Sequence, residues 1–282
     1  MCGAGRGEVE EQGKARGEGG GGADRFGGED VRLFNVATNE KSICWLQLTA
    51  VGTPGHGSRI HHDNSLVHLM RALLRLEEWN RGTTFTPDTT AYIDRLAEAG
   101  LIPPRSDMPA LEAAISRGGE LQAAFMNTLN ITELRSGIKT NVIPAKSWAA
   151  IDCRLLPGQD RHAWLQQVRD VVADDRITVE FYRPGELEPV AVPWDTELFH
   201  TIRAVITEAM EDAVVVPSMT IGATDNRFLR VQGIPAYGFI PCLMSSAERA
   251  GFHGNNEFIT VDNLNMGVEF MYEIVRRVAS RP

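Results

Sequence analysis

Four short segments gather residue types that can do chemistry. The first runs Thr53-Pro-Gly-His-Gly-Ser58 and sets His56 between two glycines, just after an alternating apolar run. Glycine there lets backbone approach a ligand closely, and a loop imidazole can donate to a developing oxyanion. The same pattern also fits an exposed histidine that follows a turn. The second, Thr140-Asn141-Val142-Ile143-Pro144, is followed by Asp152-Cys153-Arg154. The Asn141 amide can bind a substrate carbonyl or carboxylate, or cap a turn, which is the commoner role. Asp152 and Arg154 share one strand face and suit an ion pair.

The third segment is Gly222-Ala223-Thr224-Asp225-Asn226-Arg227, ahead of a helix-like turn, Phe228-Leu229-Arg230. Backbone N–H groups near Gly222, with Arg227 as a bidentate clamp, would suit an acidic substrate. Thr224 or Asp225 could instead cap a helix and leave the arginine exposed. The fourth is His253-Gly254-Asn255-Asn256-Glu257, again before a helix. A neutral imidazole with a carboxylate or amide behind it suits zinc. Zinc needs about three or four ligands, so His253 would need partners from elsewhere in the fold.

The elements that must position these loops can be read from periodicity. Trp45–Val51 alternates and predicts a strand, and Asn64–Trp79 places Leu66, Leu69, Met70, Leu73, Leu74 and Leu76 at helical spacing. Residues 80–125 hold four of the prolines (Pro87, Pro103, Pro104, Pro109) and helical pieces, which marks an insertion. Strands follow at 130–135 and 148–155, a helix at 161–174 and a strand at 177–182. The order is β-α-β-β-α-β, the split βαβ arrangement, with both helices on one face of a small sheet. Beyond it, 197–210 and 261–278 read as helices and 213–216 and 236–240 as short strands. Two short strands make no stable sheet, so this second layer must borrow a strand or lack one.

Composition narrows the function. The chain has 282 residues, and the formal net charge of −9 with no basic stripe argues against a nucleic-acid surface. No apolar run is long enough to span a bilayer, and the N-terminus lacks the apolar stretch of a signal peptide. The four cysteines have no framework spacing, so the cytoplasm is the expected compartment. Of the 27 glycines, 11 lie in the first 30 residues, a stretch too poor in large apolar side chains to build a core.

Taken in order, the PGHGS loop, the NVIP step with DCR and LPG (Leu156-Pro157-Gly158), the GATDNR loop and the HGNNE loop resemble peptidase family M twenty. These are dinuclear zinc hydrolases that include aminoacylase, acetylornithine deacetylase and glutamate carboxypeptidase. The GATD run with Tyr237-Gly-Phe-Ile-Pro241 is most similar to the carboxypeptidase-S and aminoacylase branch. The resemblance implies a partial α/β catalytic domain with an inserted α+β, ferredoxin-like lid that also dimerises. It implies a glycine-rich catalytic remnant, largely disordered, over 1–42, a lid over 43–184 with the insertion near 80–125, and the C-terminal part of the catalytic domain over 185–282. His253 would be a zinc ligand, and His56 would reach into the partner subunit's site to polarise the scissile carbonyl. Asn141, Arg227 and Gly222 would hold substrate. The implied substrate is a small acylated amino acid or peptide, and the implied assembly a homodimer through the lid.

The chain also departs from that pattern. The family's His-x-Asp pair and bridging Asp have no counterpart, since no histidine precedes His56. Glu10-Glu11-Gln12-Gly13 resembles the family's Glu-Glu segment, and Glu18, before a glycine run, resembles a later acidic ligand; for Glu10 and Glu11 a charged flexible run is the commoner explanation. His253 and Glu18 are too few for the two Zn2+ ions per subunit of the intact family. The expectation is therefore a C-terminal fragment of an amide hydrolase, with a non-catalytic dimerisation module as the alternative.

Overall fold

The computed structural model describes residues 23–24, 31–117, 119–183, 190–245, 247–248, 251–252 and 254–280. Its short first strand is β1 (Ala23–Asp24), and two larger sheets organise the rest. The lid sheet is built from β3 (Ser42–Ile43), β4 (Leu46–Val51), β6 (Thr128–Ser136), β8 (Lys146–Leu155) and β9 (Ile177–Phe181). The spatial order is β6-β8-β4-β9, antiparallel throughout, with β3 extending the line of β4 along β8. This is the expected ferredoxin-like lid.

Period-two alternation puts Leu46, Leu48 and Ala50 on one buried face, together with Ile151, Cys153 and Leu155 of β8. Helices α1 (Ser65–Glu77) and α5 (Arg161–Val172) cover that face through Leu69, Leu73, Leu76, Trp164, Leu165 and Val168. Each helix begins at a side-chain cap, Asn64 accepting from Leu66 N–H and Asp160 from His162 and Ala163 N–H. Two of the apolar residues at helical spacing in α1 do not enter the core: Met70 and Leu74 stay 47% and 58% exposed.

Residues 80–125 form three helices, α2 (Pro87–Glu98), α3 (Met108–Arg117) and α4 (Gly119–Ala124). Ile93, Leu111, Ile115 and Phe125 make their small core. A Thr86–Thr89 capping box and Pro87 in the first turn start α2. Buried Lys41, at the junction of the two sheets, donates from Nζ to Ala123 O, Met126 O and Thr128 Oγ at 3.0, 2.8 and 3.0 Å.

The second sheet takes a strand from upstream of the lid. Sequence periodicity assigns no element to Leu33–Glu40, yet this is β2, the centre of the sheet. Seven of its eight residues are buried, on both faces, so it lacks the alternation that marks a half-buried strand. It pairs in parallel with β10 (Val214–Thr220) and antiparallel with β1 and with β11 (Gly238–Phe239). Helices α6 (Glu197–Ala209) and α8 (Val261–Ala279) pack on one side through Phe199, Ile202, Phe270 and Ile274. On the other side α2 returns from the insertion, setting Leu96 against Leu33 and Val216. Buried Asp88 of α2 accepts from Thr38 Oγ and Asn39 Nδ2, each at 2.8 Å.

Candidate active site

His56 and Asn141, nearly ninety residues apart in the chain, meet in one structure. β5 (Gly55–His56) pairs antiparallel with β7 (Val142–Ile143), placing His56 opposite Val142, and Gly57 N–H donates to Asn141 O at 2.8 Å. This ribbon projects from the ends of β4 and β8. Ser65, at the start of α1, braces it from below by donating to Pro144 O at 2.8 Å. The His56 ring is exposed, and its Nδ1 accepts from Ser58 N–H at 3.2 Å. A backbone N–H can only donate, so a neutral ring carries its proton on Nε2. Nε2 is thus the donor of the neutral ring.

The loop that carries His56 is tightly closed. Asp63 accepts from Thr53 Oγ at 2.6 Å and pairs with Nε2 of buried His68 at 2.9 Å. These bonds to Thr53 and His68 hold the Asp63 carboxyl below the usual carboxylate range. Close approach of backbone requires Gly52, whereas Gly55 lies against a side chain. A Cβ at Gly52 would lie 2.6 Å from Ser65 N, and one at Gly55 would lie 2.0 Å from Cε1 of His61.

The GATDNR loop leaves β10 at its carboxyl end, where ligands commonly sit in α/β layers. Gly222 lies in the loop, and Arg227 lies in the short helix α7 (Asn226–Arg230) that follows. Of the two capping alternatives, Thr224 Oγ accepts from Asn226 N–H at 3.2 Å, while Asp225 makes no side-chain cap. The Arg227 guanidinium stands 4.8 Å over the Phe228 ring, and among the described residues no carboxylate pairs with it. It can therefore take an incoming one. Asp152 and Arg154 do form the ion pair expected of them, bidentate at 2.6 and 2.9 Å.

Sequence reasoning missed the two residues that hold this loop. Glu40, at the end of β2, is 5% exposed and accepts Thr224 N–H at 2.9 Å and Thr224 Oγ–H at 2.5 Å. Arg230, 3% exposed, sits with Nη1 3.4 Å from the other Glu40 oxygen and donates to Ala236 O. Burial pushes the Arg230 pKa down, against the opposing charge of Glu40. The only sequence signal was a charge at the end of an unrecognised strand.

His253 and Glu18 lie outside the described residues, as do Glu10 and Glu11. The frame around the HGNNE loop is nevertheless visible. Buried Glu248 accepts from Ser245 N–H at 2.7 Å and from Thr260 N–H and Asn263 Nδ2 at 3.0 Å each. Burial alone would raise this carboxyl, but the three donors outweigh it and hold it down at about 2. Among the described residues no three His, Cys, Asp or Glu side chains converge as a metal site would require. These residues by themselves do not fit a zinc centre. His56 with Asn141, and Gly222 with Arg227, form two separate groups, with no hydrogen bond or ion pair between them among the described residues.

Residues 38–178 match the family model of a peptidase dimerisation domain. The chain belongs to the M20 peptidase family. Over 255 residues it is 29% identical to mouse N-fatty-acyl-amino acid synthase/hydrolase PM20D1, covering 86% of this chain and 50% of that protein. It is 25% identical to a probable carboxypeptidase S-like protein of Dictyostelium discoideum, covering 89% of this chain and 50% of the other. Human aminoacylase-1 is 26% identical over 74% of this chain and 44% of its own length. This M20 chain thus spans about half the length of the curated relatives it matches. Its fold is shared with an M20 family metallo-carboxypeptidase of Sulfolobus solfataricus, at a TM-score of 0.57 and 14% identity, over 86% of this chain and 59% of that one. Among the described residues no helix is long and apolar enough to cross a membrane.

Proposed function

We propose that this M20 chain is the lid and substrate-side portion of a hydrolase for amide bonds next to a carboxylate, of N-acyl amino acid amidohydrolase or carboxypeptidase type. The observation that carries the reading is the Arg227 guanidinium, which pairs with no carboxylate among the described residues and follows the loop held at the end of β10 by the Glu40–Thr224 contacts. In it, Arg227 pairs with the substrate carboxylate, Gly222 and Asn141 offer further polar contacts, and Nε2–H of His56 donates to the scissile carbonyl of the partner subunit's substrate. The family's chemistry uses two zinc ions, and His253 and Glu18 are the ligand candidates in this chain; no step is assigned to metal held by its described residues. The names of the relatives, N-fatty-acyl-amino acid synthase/hydrolase and aminoacylase, support an acylated amino acid as substrate. Buried cysteines that form no disulfide support the cytoplasm as the compartment.

The test is binding and turnover of N-acetyl-methionine and N-oleoyl-phenylalanine by the purified chain supplied with Zn2+. Weak binding that is lost in Arg227→Met supports the reading, and unchanged binding in that variant sinks it. Turnover together with two zinc ions per chain would show a complete centre and overturn the partial assignment.

A second reading, a non-catalytic dimerisation module, is favoured by the outer edge of β6. That strand is exposed along most of its length, and exposed Met70 and Leu74 lie on neighbouring α1. Pairing of two lids edge to edge would cover both. A dimer with no ligand binding selects this reading.

A further inference from the structure

The lid is joined to the second sheet by more chain than an inserted domain needs. A single excursion would cross between the two units once out and once back. Here the chain also leaves α1 for α2 over residues 78–86 and returns from α4 to β6 over 125–127, besides passing from β2 to β3 at Lys41 and from β9 to α6. The additional crossings exist because the insertion packs on the second sheet, with Leu96 of α2 against Leu33 and Val216.

The crossing at Lys41 grips the others. Thr38, Asn39, Glu40 and Lys41 are consecutive and polar, yet they are only 0, 0, 5 and 1% exposed. On the second-sheet side, Thr38 and Asn39 hold Asp88 at the start of α2. Asn39 also takes Val192, on the return from β9, from both sides: it donates to Val192 O at 2.8 Å and accepts from Val192 N–H at 3.1 Å. The Lys41 N–H donates to Thr220 O at 2.9 Å, at the end of β10. On the lid side, Cys44 N–H donates to Cys153 O at 2.9 Å, and Asn127 Oδ1 accepts from Leu156 N–H at 2.8 Å. Lys41 Nζ spans the two sides, since its acceptors are Ala123 O of α4, Met126 O in the crossing and Thr128 Oγ of β6. Turning the lid about this junction would strip buried donors and acceptors of partners that water could not replace. A buried polar cluster bonded this fully favours one arrangement over a range.

We propose that these crossings hold the lid at one angle to the second sheet, and that Lys41 is the positioning residue that sets it. The proposal deepens the hydrolase reading and takes its catalytic meaning from it. His56 rides on the lid and Arg227 on the second sheet, so in a dimer paired through the lid this angle fixes where each His56 arrives at the other site. Lys41 itself touches no substrate.

Distances between spin labels on the full chain test the proposal. Gln167 on α5 and Glu269 on α8 are exposed and take the labels, as Gln167→Cys/Glu269→Cys in a Cys2→Ser background. Dilution into unlabelled chain leaves only pairs within one chain. Measurement at pH 6 keeps Lys41 protonated, because burial, and then Arg154, push its ammonium down to about 7. The labelled parent is expected to give one narrow distance. Lys41→Met should broaden it about twofold while leaving the circular dichroism spectrum unchanged. Thr128→Val, which removes one acceptor and keeps the shape, should broaden it less and guards against simple misfolding. A broad or two-peaked distribution in the parent overturns the proposal, as does a width that neither substitution changes. Binding of N-acetyl-methionine with and without Arg227→Met tests the hydrolase reading separately, and its failure would leave these distances as they are.

Discussion

Glu40 and Thr224 lie 184 residues apart and share two hydrogen bonds, from the Thr224 backbone N–H and hydroxyl to one carboxylate oxygen. The contact joins the end of the central strand to the loop that carries Arg227. Its other oxygen faces the buried Arg230 guanidinium, so one side chain positions the loop and balances a buried charge.

Replacing Glu40 by Gln should cost about 3 kcal/mol of stability, because it leaves Arg230 charged and buried without its partner. Urea unfolding of Glu40→Gln against the double variant Glu40→Gln/Arg230→Met gives the check. The double variant should recover part of the loss, and full additivity of the two substitutions would refute the coupling.

The two glycines ahead of His56, Gly52 and Gly55, should behave differently. Gly52→Ala would drive its Cβ into the backbone of Ser65, which cannot move without disturbing the start of α1. A loss of about 1–3 kcal/mol is expected. Gly55→Ala meets only the His61 ring, which can swing away, so the loss should be about 1 kcal/mol, mainly the His61–His56 O contact. Adding His61→Ala to Gly55→Ala should cause little further loss. Thermal melts of the three variants decide the order.

Glu248 supplies a pH-dependent term. Its carboxyl is held at about 2, against an ordinary value of 4.5. A carboxylate depressed on folding contributes its full stability above about 4.5 and loses it as the pH falls through about 2. Glu248→Gln should therefore be less stable than the parent by about 1.5–3 kcal/mol at pH 7. The gap should narrow steadily below pH 4.5, which denaturant midpoints at pH 7, 4 and 3 would reveal.

If the lid pairs through β6 and α1, Leu74→Glu should weaken that association. Leu74 is 58% exposed in the single chain, so the fold should tolerate the charge. Sedimentation of Leu74→Glu beside the parent chain gives the check: a lower mass is expected, and an unchanged mass would refute pairing through this face.

The lid was legible in the sequence because its strands are half-buried and its helices amphipathic, so burial prints a period on the chain. Leu46, Leu48 and Ala50 alternate, and Leu69, Leu73 and Leu76 recur at helical spacing. The motif loops were legible for a related reason, since His56 between glycines and Arg227 after GATDN are local patterns. β2 was not legible, because a strand buried on both faces has no alternation to show. Glu40 and Arg230 were invisible for a different reason. Their roles exist only where the end of β2 lies beside α7 and the loop before it, a proximity made by strand pairing across the chain. The apolar sector of α8, buried at Phe270 and Ile274 and exposed at Val268 and Met271, was written in the sequence as helical spacing. Only the tertiary structure decided which half of its apolar sector the core would take and which half would face outward, because the width of the core beneath α8, set by α6 and β2, limits what one helix can bury.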